Sequence, residues 1–152
     1  MTERSVTHAT FTIERNYPTT PQRVFAAFAD SVKKCRWFAA EGKEFHVDKF
    51  EMDFRVGGIE RSSFRAHGLD CANDTYYTDI VPDRRIVIAY TMTVNGNRIS
   101  SSQATFELLP AEKSTDLIFT EQAAFFEGAD GPQIRQEGWT KLLESLAKEL
   151  AS

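Results

Sequence analysis

The C-terminal stretch constrains this chain more than any other. From Pro132 onward, Ile134, Trp139, Leu142, Leu143, Leu146 and Leu150 recur at helical spacing and make one wide apolar stripe. A helix of that extent spans roughly 30 Å, enough to cross a domain. Asp130 or Gly131 is placed to cap it, and Pro132 suits its first turn. Such a stripe must be covered, and the rest of the sequence offers mainly strands to cover it. The pattern therefore predicts an α+β fold in which a sheet wraps a terminal helix.

Ala9 to Tyr17 alternates, with Phe11, Ile13 and Arg15 on one face, and Pro18 ends the strand. Thr20 before Pro21 is an N-cap with proline in the first turn, and Val24, Phe25 and Phe28 define a short helix through Ala29. Asp30 to Gly42 reads as irregular or briefly helical, yet Trp37 and Phe38 stand side by side in it and should cover something apolar. Phe45 to Phe54 alternates again, placing His46, Asp48, Phe50, Met52 and Phe54 on one face. Gly57 and Gly58 offer the positive φ of a tight turn, across which Asp53 and Arg55 can bond, and Ile59 to Ala66 returns.

After a turn at His67 to Asp70, strands are expected at Thr75 to Val81, Ile86 to Val94, Arg98 to Leu109 and Thr115 to Phe125. Pro82-Asp83, Asn95-Gly96-Asn97 and Pro110 to Ser114 separate them, and Asn-Gly between alternating runs is a strong hairpin signal. Successive hairpins predict a curved antiparallel sheet of about six to seven strands, with one or two short helices after the first strand. No repeat, linker or low-complexity run interrupts the sequence, so residues 1–152 are expected to form a single domain.

A chain of 152 residues buries enough surface to fold without disulfides or a structural metal. Its 22 acidic and 18 basic residues are scattered, giving a net charge of -4 with no basic block to track a phosphate backbone, which argues against nucleic acid. Cys35 and Cys71 lack metal or redox spacing, and the first residues carry no apolar run of signal-peptide length, so a reducing cytoplasm is the expected setting. No stretch approaches the ~20 apolar residues of a membrane span. Homodimerisation through a sheet edge is open to such a fold, though no heptad marks an association surface.

A curved sheet around one helix encloses volume at its open end, and sites there are apolar with few polar groups. Trp37, Phe50, Met52, Tyr76, Tyr90, Met92, Phe119 and Trp139 are the expected ligand-binding walls, although aromatic and methionine residues also fill ordinary cores. Glu121 is the sharpest polar candidate, since the alternation Leu117, Phe119, Glu121, Ala123 puts a carboxylate on a core-facing stripe. It needs a cation, a raised pKa or a rim position, and Arg61 and Arg98 are candidate partners. His46 and Asp48 share a strand face without a third ligand, so no metal and no cofactor is expected. His67 and His8 read as solvated, no nucleophile motif is present, and Cys35 stays unassigned. Glycine inside a helix is costly, so Gly138 should mark a close approach of sheet or ligand.

The phrases FTIERNYPTTPQRVFAAF, FEMDFRVGG and EGWTKLLESLAKEL, in that order and spacing, resemble the family named for the activator of heat-shock-protein ATPase, a branch of the START-like (SRPBCC, or helix-grip) superfamily. The resemblance implies a sheet gripping a long C-terminal helix with a cavity between them, and it spans wide functional diversity. The first expectation is a small hydrophobic or amphipathic ligand held in that cavity, with Glu121 as orienting group. A second is an enzyme of cyclase, dehydratase or hydrolase type with Glu121 as general acid or base. A third, carried by the family's name, is a regulator of a chaperone ATPase.

Overall fold

Two local signals set the entry into the fold. Thr20 Oγ1 accepts from the Arg23 amide and Pro21 occupies the first helical position, so the chain leaves its first strand directly into a helix. The computed structural model describes residues 5–38 and 45–152. They run as β1 (Val6–Tyr17), α1 (Pro21–Ala29), α2 (Ser31–Phe38), β2 (Phe45–Met52), β3 (Ile59–Ala66), β4 (Leu69–Val81), β5 (Arg85–Val94), β6 (Asn97–Ala111), β7 (Ser114–Phe126) and α3 (Pro132–Ala151). The segment expected to be irregular or briefly helical is helical from Ser31 to Phe38, and residues 39–42 lie outside the described residues.

The strands form one seven-stranded antiparallel sheet in the order β1-β7-β6-β5-β4-β3-β2. From β2 to β7 every neighbour is joined by a hairpin, and α1 and α2 carry the chain from one edge of the sheet to the other. With α3 against its concave face this is an α+β helix-grip fold. Asn95 and Gly96 both take positive φ, 49° and 82°, the pairing that a two-residue hairpin of matching twist requires.

Four expectations shift. His67 and Gly68 make the same kind of tight turn, so β4 starts at Leu69 rather than Thr75. The two glycines after Asp53 answer different demands: Gly57 has φ of 86°, while a Cβ on Gly58 would lie 2.0 Å from the Asp53 carbonyl oxygen. Arg55 Nε does donate to Asp53 Oδ2, at 2.7 Å. A bulge between Val47 and Lys49 inserts one residue into β2, so His46 and Asp48 face solvent while Val47 and Phe50 line the interior. In α3 the stripe differs at its first position: Ile134 is exposed and Arg135 is buried in line with Trp139, Leu143, Leu146 and Leu150.

An aromatic stack joins the layers. Phe106 lies 4.9 Å from Phe28 and 5.0 Å from Phe119, ring centre to ring centre, and Phe119 lies 4.4 Å from Trp139. Tyr17 donates to the Leu143 carbonyl at 2.9 Å, tying β1 to the middle of α3. Both cysteines are free. Among the described residues no helix is long and apolar enough to cross a membrane, and no group of acidic, histidine or cysteine side chains could hold a metal ion.

Candidate functional site

On the β1 side, α3 packs directly on the sheet. On the β2 to β5 side the sheet curves away from it, leaving a cavity of about 950 Å³. Phe50, Phe64, Ile88, Met92 and Trp139 supply apolar wall, and Lys34, Glu60, Ser62, Asn73 and Thr75 supply polar wall. Gly138 also borders the cavity, and a Cβ there would meet nothing within 4 Å. Of the approach of sheet or ligand expected at Gly138, the sheet does not make it among the described residues; the backbone there faces the cavity.

Two buried polar clusters stand at this cavity. The larger is organised by Arg135, which projects from the first turn of α3. One guanidinium nitrogen donates to the Tyr90 hydroxyl at 2.9 Å and to Glu121 Oε2 at 3.1 Å. The other donates to Ser100 Oγ at 2.7 Å and Asp130 Oδ2 at 2.5 Å. Tyr90 in turn donates to Glu121 Oε1 at 2.6 Å and accepts from Trp139 Nε1 at 3.2 Å, and Ser102 donates to Glu121 Oε2 at 3.0 Å. The guanidinium lies over the rings of Tyr90 and Phe125.

Burial raises the Glu121 carboxyl above its ordinary value, against the pull of Arg135 and of the hydrogen bonds from Tyr90 and Ser102. Burial, and then the Glu121 charge, push the Tyr90 phenol up, so it stays a proton donor. Burial works against the Arg135 charge, but Tyr90, Glu121 and Asp130 outweigh it and hold the guanidinium above its ordinary value.

The second cluster joins α2 to the sheet. Lys34 Nζ donates to Glu60 Oε1 at 2.8 Å, Tyr77 donates to the same oxygen, and the ammonium sits 4.8 Å from the centre of the Phe38 ring. Both Lys34 and Glu60 are nearly inaccessible to bulk solvent, at 6% and 2% exposure, yet both border the cavity. Burial, followed by the Glu60 charge, raises the Tyr77 phenol.

Of the residues expected as ligand-binding walls, Phe50, Tyr90, Met92 and Trp139 border the cavity. Five others do not. Trp37 is core, its indole donating to the Ala27 carbonyl at 2.8 Å. Phe119 is sealed between Phe11, Phe106 and Trp139. Met52 packs at the margin of the core. Tyr76 points outward, because the inward set of β4 is Cys71, Thr75 and Tyr77 and adjacent residues of a strand face opposite sides. Glu121 lies behind Tyr90 and Arg135, which themselves border the cavity, and its partner is Arg135 rather than Arg61 or Arg98. Arg61 pairs loosely with Asp74 on the outer face, and Arg98 is exposed. His67 borders the cavity from its turn.

The structure adds Arg135, Asp130, Lys34, Glu60, Ser62 and Asn73. Glu60 and Ser62 share the strand parity of Phe64, and Arg135 stands one helical turn before Trp139, so alternation and helical spacing carried a signal for these. Lys34 gave none beyond its place one turn from Phe38.

The family model for Activator of Hsp90 ATPase homolog 1-like protein matches residues 18–151. The Mll3558 protein of Rhizobium loti is 46% identical, with 96% of this chain and 99% of that chain covered and a TM-score of 0.88. An uncharacterised protein of Rhizobium leguminosarum is 37% identical over 99% of both chains, with a TM-score of 0.92. Protein CV1439 of Chromobacterium violaceum is 27% identical over 94% of this chain and 97% of its own, with a TM-score of 0.78. No curated protein matches the sequence. With the family model covering all but the first 17 residues and the last one, the chain belongs to the Activator of Hsp90 ATPase homolog 1-like protein family.

Proposed function

We propose that this protein binds a small amphipathic molecule between its sheet and α3. The observation that carries the reading is the cavity itself: about 950 Å³, walled by aromatic and aliphatic side chains with a few polar groups among them. Ligand sites of small molecules have that size and composition, roughly 300–1,000 Å³. A folded core closes such volume unless something is meant to occupy it, since interiors pack densely. The bound molecule would lie against Phe50, Met92 and Trp139, with Tyr90 and Arg135 at one end.

The acid–base reading at Glu121 has less support, because both carboxylate oxygens are already engaged and Tyr90 and Arg135 stand between it and the cavity. Regulation of a chaperone ATPase is the activity in the family's name, and it would use an exposed surface rather than an internal cavity.

para-Hydroxybiphenyl, titrated by calorimetry, tests the reading. Saturable binding of one molecule per chain is expected, weakened at least tenfold, or about 1.4 kcal/mol, in Gly138→Leu, whose side chain would project into the cavity. No saturable binding, or equal binding by the variant, would contradict it.

A further inference from the structure

The floor of this cavity is more polar than a container for a hydrocarbon requires. Strand register aligns Phe50, Ser62, Asn73, Met92 and Ser100 in one row across β2 to β6, with Glu60 and Thr75 adjacent in the next row. Two polar members of these rows have buried ionic partners: Glu60 accepts from Lys34 and Tyr77, and Ser100 accepts from Arg135. Ser62 Oγ and Asn73 Oδ1 differ. Both atoms are buried, and neither has a hydrogen-bond partner among the described residues. Ser62, 7% exposed, stands directly opposite Asn73 across β3 and β4, and both side chains border the cavity.

A buried hydroxyl or amide without a partner costs folding free energy, and native structures rarely keep two side by side. A ligand group of the right chemistry would satisfy both. At Ser62 and Asn73 an anionic group fits poorly, because the buried cations on this side are already paired, Lys34 with Glu60 at 2.8 Å and Arg135 with Glu121 at 3.1 Å and Asp130 at 2.5 Å, while Lys141 and Lys148 border the cavity from α3 rather than from the sheet. Those carboxylates would repel it in a medium that screens weakly. A hydrocarbon would leave both atoms unpaired. An uncharged donor fits, giving its hydrogen to the Asn73 carbonyl oxygen while the Ser62 hydroxyl gives or accepts as needed.

We infer that Ser62 and Asn73 form a polar seat for an uncharged hydroxyl or amide, so the bound molecule is a neutral amphiphile and neither a fatty-acid-like anion nor a plain hydrocarbon. This rests on the binding reading above and adds the chemistry of the ligand's polar end.

The test is calorimetric titration with biphenyl, para-hydroxybiphenyl and para-biphenylcarboxylate, which share one apolar body. Wild-type protein should bind the hydroxy compound about tenfold more tightly than biphenyl, and the carboxylate more weakly than either. Ser62→Ala and Asn73→Leu should each erase most of the hydroxy preference, read as the ratio of para-hydroxybiphenyl to biphenyl affinity in the same variant. Each should also melt no lower than wild type, since it removes an unpaired buried polar atom. If a variant fails to fold, the ranking of the three probes on wild type decides alone. Biphenyl binding without a hydroxy preference, or a carboxylate bound as tightly as the alcohol, would overturn the polar seat and leave the cavity reading standing. Failure of all three probes to bind would overturn both.

Discussion

Arg135 links more of this fold than any other side chain described above. It joins the start of α3 to β5, β6 and β7 through Tyr90, Ser100 and Glu121, and closes onto Asp130 just ahead of its own helix. Removing one partner of a buried ion pair strands the other, at a cost of roughly 3–5 kcal/mol. Arg135→Met is therefore expected to lower stability by about that amount in urea denaturation, and a loss under about 1 kcal/mol would show the network to be relaxed by water. Glu121 gives a prediction in pH. Its folded-state pKa is raised by burial above the ordinary 4.5, so the folded state holds the proton more tightly than the unfolded chain. That contribution is fully present below the unfolded value and is lost as pH rises through the folded one. The stability of wild type relative to Glu121→Gln should thus fall as pH rises from 4.5, measured by urea titrations at stepped pH. A difference that stays flat or grows would contradict the raised value. Glu121 was legible from strand alternation, because its neighbours in parity are Leu117 and Phe119. Arg135 was harder to read: it stands one helical turn before Trp139, but a charged side chain next to Ile134 in a helix reads as the solvated neighbour, and only the contacts of the whole sheet decide which of two adjacent residues turns inward.

At the scale of elements, the terminal helix, the short helix after Thr20 and the Asn95-Gly96 hairpin followed directly from sequence, each resting on chemistry within a few residues. What sequence did not carry was strand parity where a local irregularity resets it. The β2 bulge turns His46 and Asp48 outward and leaves no composition signal, and of the adjacent tyrosines in β4 it is Tyr77, in parity with Cys71 and Thr75, that turns inward. Gly138 is the element-level oddity. Its position borders the cavity with nothing near a Cβ, so the helix bears glycine's conformational cost without a packing need. Gly138→Ala should raise stability by roughly 0.5–1 kcal/mol in thermal unfolding. A destabilised variant would mean that sheet and helix approach more closely than described.

At the scale of the whole molecule, one half of the sheet is filled by α3 and the other half stands away from it. The filled half holds the aromatic stack of Phe28, Phe106, Phe119 and Trp139, which supplies core enough for a chain of this size. The other half can therefore remain open. Its two buried ionic clusters brace the walls, one tying α2 to β3 and the other tying α3 to β5, β6 and β7. The cavity's existence followed from the order of elements, whereas the identity of its walls did not, because side-chain direction in a curved sheet depends on register. The direct measurement is native mass spectrometry of the protein purified from its own host, with extraction and identification of whatever it carries. The account predicts one small, neutral, amphipathic molecule per chain, released on unfolding. A protein that arrives without a small molecule, and stays so when offered the extract of its host, would contradict it.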